Sequence, residues 1–273
     1  MNGTLSIAVV SGKGGVGKTN LALNLSYALY RAKQKVLLMD CDLGLANLDV
    51  LLGLAPKISI EQVMLGEAEF KDATVSIEPG GFSLLPASSG VDILGDESSP
   101  TQVDFLRRLN AYACGYEYLI LDVGAGITDS VQNFAARAAM RVVVVTPEPT
   151  SLTDAYALIK VLSTQHEITN FHVLVNQAAT PEEEKTSFLR LAAACEKFLG
   201  LELKSLGAIQ YDPMMIQAVR RQEPLLKFSP SSPAGKDLIN AAVRVHKIRE
   251  TMDLVPGRPL TTLDGQHAIS HTA

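Results

Sequence analysis

One glycine-rich stretch near the N-terminus constrains this chain more than any other feature. Residues 12–20 read Gly-Lys-Gly-Gly-Val-Gly-Lys-Thr-Asn, which contains the pattern G-x-x-x-x-G-K-[ST]. The apolar run at residues 5–10 predicts a buried strand before it, and residues 21–31 have helical periodicity after it. A strand, a glycine-rich loop and a helix are the context that a phosphate-binding loop requires. The stretch therefore predicts a site for a nucleoside triphosphate.

The residue types in this loop suit the binding of phosphate. Glycines let the backbone close around an anion without clashes from Cβ atoms, and backbone N–H groups at a helix N-terminus supply partial positive charge. Lys18 is expected to reach the β- and γ-phosphates, and the Thr19 hydroxyl to bind Mg²⁺. Spacing alone leaves open whether Lys13 is a solvated surface lysine or points into a partner. The predicted phosphate-site residues are Gly12, Lys13, Gly14, Gly15, Val16, Gly17, Lys18, Thr19 and Asn20.

Acidic residues follow two further apolar runs. Asp40 and Asp42 come after residues 35–39, and Asp122 comes after residues 118–121. Carboxylates at the carboxyl ends of parallel strands beside a phosphate loop lie where Mg²⁺ and the attacked phosphate would sit. We predict that Asp122 holds Mg²⁺ through water, as the second acidic strand end of a P-loop NTPase does. For Asp40 and Asp42, an N-cap or turn pair is the alternative.

The rest of the chain alternates between predicted strands and helices. Residues 43–54 are predicted as a loop that responds to the γ-phosphate, and residues 86–100 as a surface loop. This alternation predicts an α/β fold with a mostly parallel, doubly wound sheet and helices on both faces. We predict one domain over residues 1–255 and a flexible tail over 256–273. Strands are expected at 141–146, 171–175 and 203–209, short strands or extended loop at 73–77 and 82–85, and helices at 58–65, 101–114, 151–164, 182–199 and 233–252.

Composition narrows the classes of protein that fit. The 273 residues contain no run of 18 apolar residues, and the first apolar run lacks the preceding basic region of a signal peptide. Three scattered cysteines form no C-x-x-C pair, which predicts a cytoplasmic protein. The net charge of −5 disfavours strong nucleic-acid binding.

Asn176 follows the predicted strand at 171–175. An amide there could recognise the edge of an adenine, because its NH₂ donor and its carbonyl acceptor can form two hydrogen bonds with the base at once. A turn-forming asparagine is the alternative.

Three motifs resemble those of the deviant-Walker ATPases of the MinD/ParA family: residues 12–19, Asp-Cys-Asp-Leu-Gly at 40–44, and Asp-Val-Gly-Ala-Gly at 122–126. Three further stretches, at 44–53, 85–90 and 148–156, are similar to the FlhG (FleN) group within that family, whose members control flagellar number and placement. The resemblance covers roughly residues 5–250 and implies the family's fold, with ATP and Mg²⁺ as ligands.

The resemblance also implies roles for single residues. In the family, the lysine that corresponds to Lys13 reaches across a face-to-face homodimer to the partner's nucleotide. Asp42 corresponds to the aspartate that orients the attacking water, and Lys13, Lys18 and Asp42 are thus the implied catalytic set. Thr19, Asp122 and the neighbouring Asp40 are the implied metal-side residues. The implied contacts on the base and ribose side are Glu148, Asn176, Tyr211, Asp212 and Pro213.

The function implied is an ATPase that acts as an ATP-dependent dimerisation switch on flagellar assembly. The implied partners are flagellar regulators: an FlhF-like GTPase, a transcription activator or a flagellar switch component. The alternative is a MinD/ParA-type division or partition ATPase at the membrane or nucleoid. MinD-like proteins often carry an amphipathic C-terminal helix for peripheral contact with the inner face of the membrane or the cell pole. Residues 233–252 could serve in that way, but packing of this helix on its own sheet is the reading we favour.

Overall fold

A sheet of eight strands lies at the centre of the computed structural model, which describes residues 3–42, 48–58, 60–87 and 99–261. Along the sheet the strands run in the order β3-β4-β2-β5-β1-β6-β7-β8. Every neighbouring pair is parallel except β3 and β4. The predicted fold class is therefore confirmed. The strands are β1 (Leu5–Ser11), β2 (Val36–Cys41), β3 (Val75–Glu78), β4 (Phe82–Leu85), β5 (Tyr118–Ala125), β6 (Met140–Val145), β7 (Phe171–Ala178) and β8 (Lys204–Gln210).

Helices cover both faces of this sheet. Alternate residues of the central strands enter two separate apolar cores, which is why the strands read as continuous apolar runs: Ala8 and Val10 of β1 face one core, and Ile7 and Val9 face the other. The helices in the described ranges are α1 (Lys18–Arg31), α2 (Leu48–Leu52), α3 (Ile60–Met64), α4 (Phe70–Ala73), α5 (Pro100–Ala113), α6 (Asp129–Arg137), α7 (Pro149–His166), α8 (Pro181–Leu199), α9 (Pro213–Arg220), α10 (Leu225–Phe228) and α11 (Pro233–Thr251).

Two segments correct the predicted elements. Residues 48–52 form α2 rather than part of a loop, with the side chain of Leu48 buried in the core beside α1. The rest of that predicted loop at residues 43–47 lies outside the described residues. Helix α6 was not predicted, although Thr128 at its N-cap position and Asp129 in its first turn are a common helix start.

The predicted flexible tail at 256–273 is also corrected in part. Leu260 is buried, and its backbone N–H and C=O both bond to the side chain of Asn110. Thr261 donates its backbone N–H to the carbonyl of Arg137. Residues 256–261 are thus fixed against α5 and α6, and residues 262–273 lie outside the described residues. The domain boundary itself stays a prediction.

Helix α11 packs on its own sheet. Leu238, Ala242 and Val245 are buried in the core that α11 shares with α1 and β8, whereas Ile239 is 43% exposed. Most of the apolar residues that could have formed a membrane-binding face are therefore used inside the fold. No helix in the described parts of the chain is long and apolar enough to cross a membrane.

Candidate active site

The glycine-rich stretch forms a loop between β1 and α1 at the carboxyl edge of the sheet. Gly15 and Gly17 have φ angles of 78° and 90°, in the left-handed region that glycine tolerates best. Gly17 occupies the N-cap position of α1, and no side chain caps the helix there. The first N–H groups of α1 therefore carry the partial positive charge of an uncapped helix start. This geometry suits an anion held by backbone amides.

The loop rests directly on α7. A Cβ atom at Gly12 would lie 2.1 Å from the backbone carbonyl carbon of Asp154, so only glycine allows this approach. The backbone of α7 thus lies directly against the loop at Gly12.

The buried wall of the site joins Lys18 to carboxylates from two neighbouring strands. Asp40 of β2 and Asp122 of β5 are paired across the sheet, and each is only 1% exposed. Burial lowers the pKa of Lys18, while the charges of Asp122 and Asp42 act in the opposite direction. The predicted residues Lys18, Asp40, Asp42 and Asp122 are therefore close neighbours.

Asp122 is a buried carboxylate whose charge is only partly compensated. Burial, with the nearby Asp40, raises its pKa to about 7, although the Thr19 hydroxyl and Lys18 act to lower it. Neither of its oxygens has a hydrogen bond of normal length among the described residues. A buried carboxylate of this kind beside a threonine hydroxyl fits a divalent cation. The described residues contain no cluster of three or more His, Cys, Asp or Glu that could hold a metal. An ion here would need phosphate and water oxygens as well.

Asp40 has a clear role within the fold. Its Oδ1 accepts the backbone N–H of Asp42 at 3.0 Å, and its Oδ2 accepts that of Leu48 at 3.3 Å. The carboxylate therefore fixes both the turn at Asp42 and the start of α2, in agreement with the turn alternative. Asp42 is half-buried and faces Gly124, where a Cβ atom would lie 3.6 Å from Asp42 Oδ1.

Lys13 lies on the exposed rim of the loop. Its Nζ donates to Glu148 Oε2 at 2.7 Å and to Thr150 Oγ1 at 3.2 Å. The side chains of Lys13 and Glu148 are 39% and 63% exposed. The structure thus pairs Lys13 with the start of α7 in its own chain. Thr150 was not identified from the sequence, because its contact with Lys13 spans 137 positions.

Asn176 contacts the loop rather than standing apart from it. Its Nδ2 donates to the carbonyl of Val16 at 2.7 Å, and both residues are buried. Next in space, Tyr211 donates its N–H to the carbonyl of Ala178 and is 58% exposed. The asparagine and the Tyr211–Pro213 turn therefore lie together at the end of β7.

The carboxylate of Asp212 joins two helices. It accepts the backbone N–H of Met214 at 2.9 Å and that of Ala234 at 3.2 Å. Burial alone would raise the pKa of Asp212, but these bonds and one from Ser232 outweigh it and lower the pKa. This side chain thus holds the starts of α9 and α11 together. Gln222, which the sequence did not single out, similarly donates to the carbonyl of Val50 at 2.9 Å and holds α2.

Comparisons with known proteins show the family of this chain. A family model described as ParA, NUBPL iron-transfer P-loop NTPase, matches residues 4–246. The antiactivator FleN of Pseudomonas aeruginosa is 41% identical over 229 residues, which cover 84% of this chain and 81% of FleN. The flagellum site-determining protein YlxH of Helicobacter pylori is 37% identical, with 84% and 77% covered.

A solved structure matches as well. The septum site-determining protein MinD of Pyrococcus horikoshii, complexed with Mg-ADP, superposes with a TM-score of 0.72 at 25% identity. The match covers 91% of this chain and all of that one. Together these findings confirm the resemblance to MinD/ParA ATPases and to the FlhG (FleN) group.

Proposed function

Because the chain belongs to the ParA/MinD family of P-loop NTPases, we propose that it binds and hydrolyses ATP as a dimerisation switch that regulates flagellar number or placement. The observation that carries the proposal is the position of Lys13, exposed on the rim of an otherwise complete phosphate loop. The names of the two relatives, an antiactivator and a flagellum site-determining protein, support the flagellar role.

In this proposal the loop holds the triphosphate. The backbone N–H groups after Gly15 and the first turn of α1 donate to the phosphate oxygens, and Lys18 contacts the β- and γ-phosphates from inside. Thr19 and Asp122 are the residues that would hold Mg²⁺, which neutralises charge on the phosphate oxygens when bound. Asp40 supports them by fixing the Asp42 turn. Asn176 and the Tyr211–Pro213 turn form the base side.

Asp42 is the residue that orients the attacking water. Its half-buried carboxylate is placed to accept a hydrogen bond from that water, as a water-positioning residue must. The water oxygen then bonds to the γ-phosphorus while the bond to the bridging oxygen breaks; ADP leaves, and the protons of the water leave with the inorganic phosphate or pass to solvent. Lys18 is placed to stabilise the negative charge that grows on the phosphate oxygens.

Lys13 links this chemistry to a second copy of the chain. Its exposed ion pair with Glu148 is of a type worth at most about 1 kcal/mol, so a better anion can replace it. The partner's phosphates carry more charge than one carboxylate and bind a cation by strong, charge-assisted hydrogen bonds. A nucleotide shifts the equilibrium between monomer and dimer only by the difference in its affinity for the two states. Hydrolysis must therefore remove contacts that the γ-phosphate makes across the dimer interface. ATP would join two copies, and ADP would release them.

The dimer would act on flagellar proteins: an FlhF-like GTPase, a transcription activator or a switch component. We place it in the cytoplasm, with any contact at the inner membrane face or cell pole peripheral. A partition role at the nucleoid is disfavoured by the net charge of −5. A pull-down with Asp42→Ala and ATP would separate flagellar partners from division partners.

The test is the specific ATPase activity of the wild type measured across protein concentration. We expect activity per chain to rise and then saturate as dimers form. Asp42→Ala should bind ATP, hydrolyse it on the order of 10²-fold more slowly, and elute as a dimer in size exclusion with ATP. Constant specific activity at all concentrations, or a monomeric Asp42→Ala with ATP, would contradict the switch.

A further inference from the structure

The strongest contact that the predicted base-side role leaves unexplained is the hydrogen bond between Asn176 and the phosphate loop. The Nδ2 of Asn176 donates to the carbonyl oxygen of Val16 at 2.7 Å, across 160 positions of sequence. Asn176 is 7% exposed and Val16 is 2% exposed. A carbonyl can only accept, so the amide must turn its NH₂ group toward the loop. The bond is therefore buried and has a fixed direction.

This bond sets the direction of the next N–H group. The peptide between Val16 and Gly17 is trans, as are all peptide bonds in the described residues. In a trans peptide the C=O and the N–H point in opposite directions. Because the Val16 carbonyl points toward the side chain of Asn176, the Gly17 N–H points away from Asn176. Backbone N–H groups held in this way are the donors that a phosphate-binding loop offers to its ligand.

The backbone at Gly17 packs closely against the side-chain amide of Asn176. Gly17 has a φ of 90°, and a Cβ atom there would lie 2.5 Å from Asn176 Nδ2. The side-chain amide thus occupies the space that any other residue at position 17 would need. Asn176 and Gly17 form one packed unit.

Strand β7 is distorted at the same point. The pairing of β7 with β8 shifts register between Asn176 and Ala178, and Gln177 between them has a φ of 59°. Such bulges turn a side chain out of the regular alternation of a strand and often lie beside active sites. A left-handed backbone is strained for a residue other than glycine, and it persists only where the surroundings require it. The bulge is the local feature that accompanies the contact of Asn176 with the loop.

We propose that Asn176 is a positioning residue of the phosphate loop, which presets the Gly17 N–H for phosphate before any base is bound. The proposal rests on the proposed function of the loop in nucleotide binding. It differs from the base-side role in one respect: Asn176 should strengthen the binding of a ligand that has phosphates but no base. Its amide orientation would then also direct its carbonyl oxygen away from the loop.

The test compares ATP with Mg-tripolyphosphate, which carries the phosphates alone. Inhibition constants would be measured by displacement of a fluorescent ADP from the nucleotide-free full chain. We expect Asn176→Ala and Asn176→Leu to weaken the binding of tripolyphosphate by about 5- to 10-fold, which corresponds to the net contribution of one hydrogen bond. The binding of ATP should be weakened by at least the same factor. Asn240→Ala, an exposed asparagine of α11, is the matched control and should change neither.

Each other outcome overturns the proposal. If ATP binds more weakly but tripolyphosphate binds as before, Asn176 serves the base alone. If the wild type binds ATP but not tripolyphosphate, the loop is not preset without a base. Leucine is close to asparagine in size, so Asn176→Leu keeps the test usable if the alanine variant unfolds. Loss of ATP binding and hydrolysis in the wild type would instead refute the proposed function.

Discussion

Lys18 and Lys13 belong to the same loop but lie in different surroundings. Lys18 is 8% exposed and lies near Asp122 of β5 and Asp42, which directly follows β2. The Lys13 side chain is 39% exposed and makes its ion pair with Glu148 at the start of α7. The buried lysine meets a fixed set of groups that the fold provides. The rim lysine meets a single exposed carboxylate that another anion can replace.

The difference shows how one loop can serve two tasks. A buried charge interacts strongly with its neighbours and is costly to leave unpaired, so Lys18 is suited to a permanent role inside the chain. An exposed ion pair is weak and screened by salt, so the proposed transfer of Lys13 to a second copy would break little that holds the fold. We therefore expect variants of the buried wall to affect binding in the monomer. Variants of the rim should act mainly on events that need two copies and change the stability of the single chain only slightly.

The largest effect on ATP binding is expected for Lys18→Ala. Removal of the buried ammonium takes away a charge-assisted contact with two phosphates and should weaken ATP binding on the order of a hundredfold or more. Titration calorimetry of the nucleotide-free chain measures this directly. Lys236→Ala, on an exposed face of α11, is the matched control and should bind as the wild type does. Near-normal ATP affinity in Lys18→Ala would show that Lys18 does not bind the phosphates, and the proposed difference in role between Lys18 and Lys13 would be wrong.

Lys13→Ala should leave ATP binding to the monomer almost unchanged but reduce hydrolysis. A cation supplied in trans to a transferring phosphoryl group is worth about 10³-fold or more in rate. Single-turnover hydrolysis at saturating ATP, over a range of protein concentrations, would show a low rate that no longer rises with concentration. A Lys13→Ala protein as active as the wild type would place Lys13 outside the reaction.

The sequence predicts the wall better than the rim, for a physical reason. The loop at 12–20 and the apolar runs that end in Asp40 and Asp122 are local patterns, so chain order alone places them at one sheet edge. The contacts that Lys13 and Asn176 make are long-range: Lys13 meets Glu148 across 135 positions, and Asn176 meets Val16 across 160. Nothing in a local pattern indicates which distant side chain will fill such a contact.

The same reasoning explains the errors in the predicted fold. The segment at 256–261 has two prolines and reads as a tail, yet it is fixed by Asn110 and Arg137, which lie more than a hundred positions earlier. Helix α2 depends on Asp40 and Gln222, one at each end, and its own five residues give a weak signal. Helix α6 is different, because Thr128 and Asp129 were a readable local start.

Asp122 should make stability depend on pH. Its pKa is about 7 in the folded chain against 3.8 for an ordinary aspartate, so between these values the folded state binds a proton that the unfolded state releases. The free energy of unfolding should therefore fall as pH rises from 4 to 7, by about 1.4 kcal/mol per unit at most. Urea denaturation at pH 5, 6 and 7 would show Asp122→Asn gaining stability relative to the wild type. Parallel pH profiles for the two proteins would show that the carboxylate of Asp122 is already compensated in the monomer.

The smallest effect is expected for Glu148→Gln, which tests the rim itself. The neutral amide keeps the shape of Glu148 but removes its charge from Lys13, and because both groups are exposed, the free energy of unfolding should change by less than about 1 kcal/mol. Urea denaturation at low and high salt should give a still smaller difference at high salt, where exposed charges are screened. Lys227 and Glu78 form a comparison pair at 2.6 Å in which the glutamate is less exposed, at 18%. Glu78→Gln should therefore cost more than Glu148→Gln. A loss of 2–3 kcal/mol in Glu148→Gln would mean that Lys13 is held by the fold as firmly as Lys18, and a lysine held in that way could not be released to a second copy.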